Sequence, residues 1–182
     1  MMNFQKLSLI IFLILFSYQP NFAQGEEQKP GIEELNFMIG LWKGEGWIQG
    51  QEGRKEFTQT ESIRPKVEGK LLVIDGIGYG KGSPEEEARV IHNAFGIISY
   101  NDELQQLSML SFATTGGKME NEMRITGENM LEWSFKDERG GTIRFSEDFS
   151  QAGFWKEKGE YSPDGGKTWY QFFQMELKRV EE

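Results

Sequence analysis

The sequence predicts an all-β protein: a single antiparallel up-and-down barrel of about ten strands with a short N-terminal helix. Three observations carry that reading. Short runs of alternating apolar and polar residues recur along most of the chain, and turn-forming residues separate them at hairpin spacing. Nowhere does the spacing match a strand–helix–strand crossover, so a parallel sheet is excluded. Repeats of propeller-blade length are also missing.

Taken in order, the chain opens MMNFQKLSLIIFLILFSYQPNFAQG. Lys6 supplies a basic start, Leu7 to Phe16 is almost unbroken apolar sequence, and Asn21-Phe22-Ala23 places a small residue before Gln24. This pattern predicts a cleaved export signal over residues 1–23. The alternative, an uncleaved anchor, is disfavoured because the apolar run falls short of the ~20 residues a bilayer requires. Residues 24–29 are polar and read as a tether, leaving 30–182 as one domain. Pro30 to Gly40 is the helix candidate, with Pro near its start, Glu33 and Glu34 in its first turn, and Leu35, Met38 and Ile39 as its apolar positions.

Strands are then expected over Leu41–Gln49, Lys55–Val67, Lys70–Tyr79, Arg89–Tyr100, Leu104–Phe112, Lys118–Ile125, Met130–Lys136, Thr142–Glu147, Gly153–Tyr161 and Thr168–Arg179. In the last of these, Trp169, Gln171, Phe173, Met175 and Leu177 alternate onto one face. Arg89–Tyr100 carries apolar residues on both faces, with His92, Ala94, Gly96 and Ile98 opposite Ile91, Phe95 and Ile97. That suggests a strand covered twice, by the helix or by a partner.

Bulk properties narrow the function classes. The formal net charge is −9, one unit more negative once Lys6 is removed with the signal, so neither nucleic acid nor an anionic membrane is an expected partner. The chain has no Cys, so an exported protein of this sequence holds together by packing alone, which suits bacterial export to a Gram-negative periplasm or beyond. The absence of Cys also leaves no residue for lipid modification after the apolar run.

The first strand reads Gly40-Leu41-Trp42-Lys43-Gly44-Glu45-Gly46-Trp47. This G-x-W-x-G-x-G resembles the opening of the calycin superfamily of barrels, which includes lipocalins, fatty-acid-binding proteins and nitrobindin-like barrels. The resemblance implies that Trp42 plugs the closed end and that a basic residue near the end of the last strand, here Arg179, covers its ring. Leu35–Gly46, Gly76–Tyr100 with its HNAFGIISYN, and the final hairpin leading into QMELKR together resemble an uncharacterised family of bacterial exported proteins. Nitrobindin-like barrels hold haem through a histidine on the last strand. Phe172 to Arg179 contains none, so the expectation is that no cofactor is held; Met175 and His92 are the only substitute ligands. His92 is the single histidine, and with no Cys a zinc site is not expected.

One further stretch, Tyr161 to Phe173, carries Ser162, Asp164, Gly166, Thr168 and Trp169 in the spacing S-x-D-x-G-x-T-W. It resembles the Asp-box of sialidases and other glycan-handling propellers. Read as a turn, the box makes Asp164 organise a hairpin and makes Trp169 anchor the inward face of the last strand. Carboxylates are plentiful (Glu120, Glu122, Glu132, Asp148 and Glu157 among them), and in an acidic protein these read mainly as solvated surface.

Aromatic content of 13% is high and either lines a cavity or fills it. Trp133, Trp155, Trp169, Phe145 and Phe173 are the candidates, and Met109, Met119, Met123, Met130 and Met175 favour an adaptable apolar interior. The resulting expectation is a non-enzymatic exported barrel holding a small, mainly apolar ligand. His92, Tyr100, Trp133, Trp155, Gln171, Phe173 and Met175 are the binding residues; Trp42, Arg179, Asp164 and Trp169 are structural. No catalytic residue is assigned. The alternatives are a small secreted hydrolase or isomerase, sugar-processing included, using His92 or a Glu, and a filled barrel that acts as a protein- or glycan-interaction module.

Overall fold

The computed structural model describes residues 31–81, 89–114 and 116–180. The expected export signal at 1–23 and the tether at 24–29 lie outside these residues. The described residues form a 3-10 helix, Ile32–Met38, and ten strands: β1 Gly40–Gly50, β2 Gly53–Lys66, β3 Leu71–Gly80, β4 Val90–Asn101, β5 Gln106–Ala113, β6 Lys118–Gly127, β7 Met130–Lys136, β8 Thr142–Asp148, β9 Phe154–Ser162 and β10 Tyr170–Val180. Each strand pairs antiparallel with its chain neighbour, and β1 pairs with β10, so the sheet closes on itself. This is the calycin-like architecture expected from the sequence. Closure leaves no strand edge exposed to another chain.

The helix follows a three-residue repeat. Ile32, Leu35 and Met38 are buried, and that spacing lines one face of a helix with three residues per turn. The Glu34 carboxylate accepts a bond from the Gly31 N–H at 3.2 Å, capping the first turn. The helix lies at the end of the barrel where β1 begins and β10 finishes. There Trp42, Phe149 and Trp155 form a continuous ring cluster, with Trp42 5.3 Å from Phe149 and 5.9 Å from Trp155. The Trp42 indole N–H donates to the Met38 carbonyl at 2.8 Å. Arg179 lies over the same ring, 4.2 Å from its centroid, and its guanidinium donates to the carbonyls of Ile39 and, at 2.7 Å, Phe37. One end of the barrel is thus closed by side chains tied to the helix.

Two expectations need correction. β5 starts at Gln106 rather than Leu104, because Asn101 Oδ1 accepts from the N–H groups of Glu103 and Leu104 and so holds a turn over those residues. The outer face of β4 is not covered by the helix: Ile91 and Phe95 are exposed, while the helix packs into the closed end.

A third correction concerns the last hairpin. A bulge between Gln171 and Phe173 breaks the alternation of β10. Trp169 therefore does not anchor the inward face. Its ring lies outside the barrel against the Arg144 guanidinium, 3.7 Å from centroid to Cζ, and Arg144 is in turn held by Glu160 at 2.8 Å. The connecting loop is organised by Asp164, whose Oδ1 accepts from the Ser162 hydroxyl and from the N–H groups of Lys167 and Thr168 at 2.9, 3.0 and 2.9 Å. The bonds from Thr168 lead those that hold its carboxyl below the usual range. Gly165 and Gly166 follow at φ 72° and 91°, which a side chain would strain. Replacing Asp164 by Ala is expected to lower the melting temperature by a few degrees and leave ligand affinity unchanged. A variant with wild-type melting but lost binding would show that the loop does more than turn the chain.

Candidate functional site

The alternation that builds the barrel points one face of every strand inward, and above the closed end this interior is hollow. The cavity measures about 1040 Å³. Aromatic and thioether side chains make most of its wall. Trp133 and Phe145 stack at 4.2 Å, Phe57 and Phe173 stack at 5.6 Å, and Met109 and Met175 line the same cavity. Because of the bulge in β10, Phe172 reaches the cavity as well as Phe173. The mouth lies at the end opposite the helix, where β2 and β4 begin and β1 and β3 finish, and there Ile48, Arg54, Lys81 and His92 line it.

Three carboxyls line the apolar interior. Glu61 on β2, Glu147 on β8 and Glu157 on β9 are only 6%, 6% and 8% exposed. Glu147 and Glu157 are direct cross-strand partners, which places their Cβ atoms about 5 Å apart. Gln59 donates to Glu61 Oε1 at 2.6 Å, and the Trp133 indole N–H donates to Glu147 Oε1 at 2.6 Å. Room for Glu61 comes from β3: a Cβ on Gly76 would meet its carboxylate at 2.7 Å, and one on Gly78 would meet Gln59 at 2.2 Å.

Burial pushes the Glu61 carboxyl up to about 7 against the pull of the Gln59 amide, and Asp75 adds to the rise. Burial likewise raises Glu147 to about 8, with the Trp133 N–H opposing and the negative charge of Glu61 reinforcing. Glu157 is raised well above its ordinary value, first by burial and then by Glu147 and Glu61. At neutral pH Glu147 and Glu157 hold protons that surface glutamates would have lost, and Glu61 is near half-ionised.

Of the residues expected to bind ligand, His92, Trp133, Trp155, Phe173 and Met175 line the cavity. Tyr100 and Gln171 do not. Tyr100 packs against the core with its hydroxyl buried, and Gln171 is exposed, bonded to the Phe173 carbonyl and to Gln174. His92 stands at the mouth in contact with solvent, and the partial burial of its ring lowers its pKa. Among the expected methionines, Met119 sits at the mouth, Met123 is in the core and Met130 is exposed.

The reading of acids as surface holds for Glu120 and Glu122, which are exposed. Glu132 faces outward in ion pairs with Arg124 and, at 3.6 Å, Arg144. For Glu157 that reading is overturned, and Glu61 and Glu147 were missed altogether. The signal was present: Phe145-x-Glu147-x-Phe149, Trp155-x-Glu157 and Phe57-x-Gln59-x-Glu61-x-Ile63 each put the acid on the face of large apolar residues.

Among the described residues no group of three His, Asp or Glu side chains stands close enough to hold a metal ion. Of the two substitute haem ligands, Met175 on β10 lines the cavity and His92 stands at its mouth, and β10 carries no histidine. No described helix is long and apolar enough to cross a membrane.

Fold and cavity together define the class, a calycin-like closed barrel with a hollow interior. No family model matches the chain, and no curated protein matches it in sequence. Two solved structures are similar in fold. Rv2717c from M. tuberculosis aligns over 84% of this chain and 98% of its own, at 12% identity and a TM-score of 0.56. The S-type phycobiliprotein lyase CPES from Guillardia theta aligns over 85% and 95%, at 12% identity and a TM-score of 0.56.

Proposed function

We propose that this chain is an exported, non-enzymatic barrel that carries a small, mainly apolar molecule in its interior. The observation that carries the reading is the cavity of about 1040 Å³, walled by stacked aromatics and methionines, closed at one end and open at the other. Ligand sites are commonly hollows of about 300–1,000 Å³ with apolar walls and a few polar anchors. Support for export is the basic residue and apolar run over Lys6 to Phe16. The phycobiliprotein lyase shares the barrel, which makes a small-molecule occupant a natural use of this fold.

Titration with N-phenylnaphthylamine, an uncharged dye that brightens in apolar surroundings, tests the reading. Saturable brightening at one dye per chain is expected. Ala94 lines the cavity, and Ala94→Phe should weaken binding at least several-fold by filling it. If the dye does not bind, or if filling the cavity leaves its affinity unchanged, the interior is not a ligand site and the interaction-module alternative gains.

A further inference from the structure

The cavity contains more acid than its walls can neutralise. Glu61, Glu147 and Glu157 line it from three strands, and among the described residues no Lys or Arg is paired with them. Among the described residues, the other titratable groups that line the cavity are Arg54, Lys55, Glu56, Lys81 and His92, all from strand ends at the mouth. The cations among them are engaged elsewhere: Arg54 lies 3.5 Å from the Trp47 ring centroid, Lys55 bonds Glu52 at 2.8 Å, and Lys81 bonds Glu45 at 2.7 Å.

A second, independent observation comes from polar atoms left open. Trp155 lines the cavity, is 3% exposed, and its indole N–H is buried with no partner. One oxygen of Glu61 and one of Glu147 are in the same condition. Buried polar atoms are normally paired, and leaving one unpaired costs free energy. Here the unpaired set lines a hollow large enough to admit a molecule that would pair it. What remains open is one oxygen on each of two carboxyls, an acceptor once that carboxyl is ionised, and one indole donor, which calls for an acceptor.

We propose that the acidic wall formed by Glu61, Glu147 and Glu157 is a subsite for the protonated nitrogen of an apolar base, with the Trp155 N–H bonding an acceptor atom beside that nitrogen. The proposal rests on the ligand-binding reading above and names the chemical class of the occupant. A cation is favoured over a neutral polar group for two reasons. It supplies the charge that the walls lack, and charge-assisted bonds to carboxylate are roughly twice as strong as neutral ones. At neutral pH the Glu147 and Glu157 carboxyls hold protons, so a cation seated against them ionises one and sends its proton to solvent.

The test uses a matched pair, naphthylethylamine and naphthylethanol, with N-phenylnaphthylamine as the apolar reference. Calorimetry at about pH 8, in buffers of different ionisation enthalpy, reads affinity and proton release together. The amine is expected to bind about tenfold or more tighter than the alcohol, a difference of roughly 1.4 kcal/mol, and to release up to one proton. The preference should shrink at about pH 5, where displacing a proton is harder. It should also shrink in Glu61→Gln and in the Glu147→Gln/Glu157→Gln double variant. Because glutamine removes like charge, these variants are expected to fold, and the pH series on the unaltered protein needs no variant at all.

Equal or tighter binding of the alcohol overturns the proposal, and so does an amine preference that survives every substitution. If the reference dye binds and the amine does not, the amine subsite falls and the ligand-binding barrel stands. If none of the three binds, both fall.

Discussion

Replacing Trp42 by Ala is expected to lower the unfolding free energy by about 4 kcal/mol and the melting temperature by roughly 10 °C. The ring is 1% exposed and ties β1 to the helix, to the residue that follows β8, to β9 and to β10. Its faces and edges meet Phe149, Trp155 and Arg179, and its N–H satisfies the Met38 carbonyl at the helix end. Truncation removes the buried area and the aromatic pairs, leaves a helix-end carbonyl unsatisfied, and opens a void beneath the helix. Trp42→Phe keeps part of the ring packing but loses the bond to Met38, so an intermediate loss is expected. Arg179→Ala should cost less than Trp42→Ala, because Arg179 is exposed and its bonds lie at the rim. Chemical denaturation of the three variants checks the order. A Trp42→Ala protein as stable as the unaltered chain would mean that the helix and its plug are an appendage, not the closure of the barrel.

Much of this closure was legible in the sequence, and the physical reason is periodicity. A strand with one buried face repeats every two residues, so β7, whose Leu131 and Trp133 alternate with Glu132 and Ser134, has the bounds expected of it, Met130 to Lys136. The same rule misleads where the backbone departs from the two-residue period. The bulge in β10 is invisible to alternation, and it moves Trp169 and Gln171 out of the expected inward set while bringing Phe172 into the cavity. The turn capped by Asn101 similarly delays β5.

The site was less legible than the wall around it. Alternation shows which residues share a face, but a glutamate's composition-level prior is the surface, and that prior hid Glu61, Glu147 and Glu157. Whether an aromatic-rich barrel is hollow or filled depends on pairs of positions from different strands. Gly76 on β3 makes room for Glu61 on β2, a fact that belongs to neither strand alone. The Glu147–Glu157 pairing depends in the same way on the register of β8 against β9.

The protein is expected to be more stable at about pH 5 than at about pH 8, and the Glu147→Gln/Glu157→Gln variant should lose much of that difference while keeping the share that Glu61 carries. The sign follows from the direction of the shifts. Burial raises Glu61 to about 7, Glu147 to about 8, and Glu157 well above the ordinary 4.5. Below about pH 4.5 the folded and unfolded chains both hold these protons, and the carboxyls cost the fold little. As pH rises from there, the unfolded chain releases them while the folded chain retains them. Stability then falls by roughly 1.4 kcal/mol per pH unit for each such group until the folded carboxyl ionises too.

The loss therefore runs through the window from about 4.5 up to 7 for Glu61 and 8 for Glu147. On the acid side the opposite case sets a limit. Bonds from Ser150 hold Asp148 below its ordinary 3.8, so its contribution is present above that value and disappears as pH falls through the lowered one. An optimum near pH 5 results. Glutamine at 147 can still accept the Trp133 N–H bond and has no proton to lose, so at about pH 8 the double variant should melt several degrees above the unaltered protein. Thermal melts across this range, with no ligand added, check it. A flat profile for the unaltered protein, or a double variant that melts lower at about pH 8, would show that water or a rearranged wall already solvates these carboxyls. The electrostatics of the cavity can thus be measured before its occupant is known, and a positive result means that the fold tolerates a weakening at neutral pH which a cationic occupant would relieve.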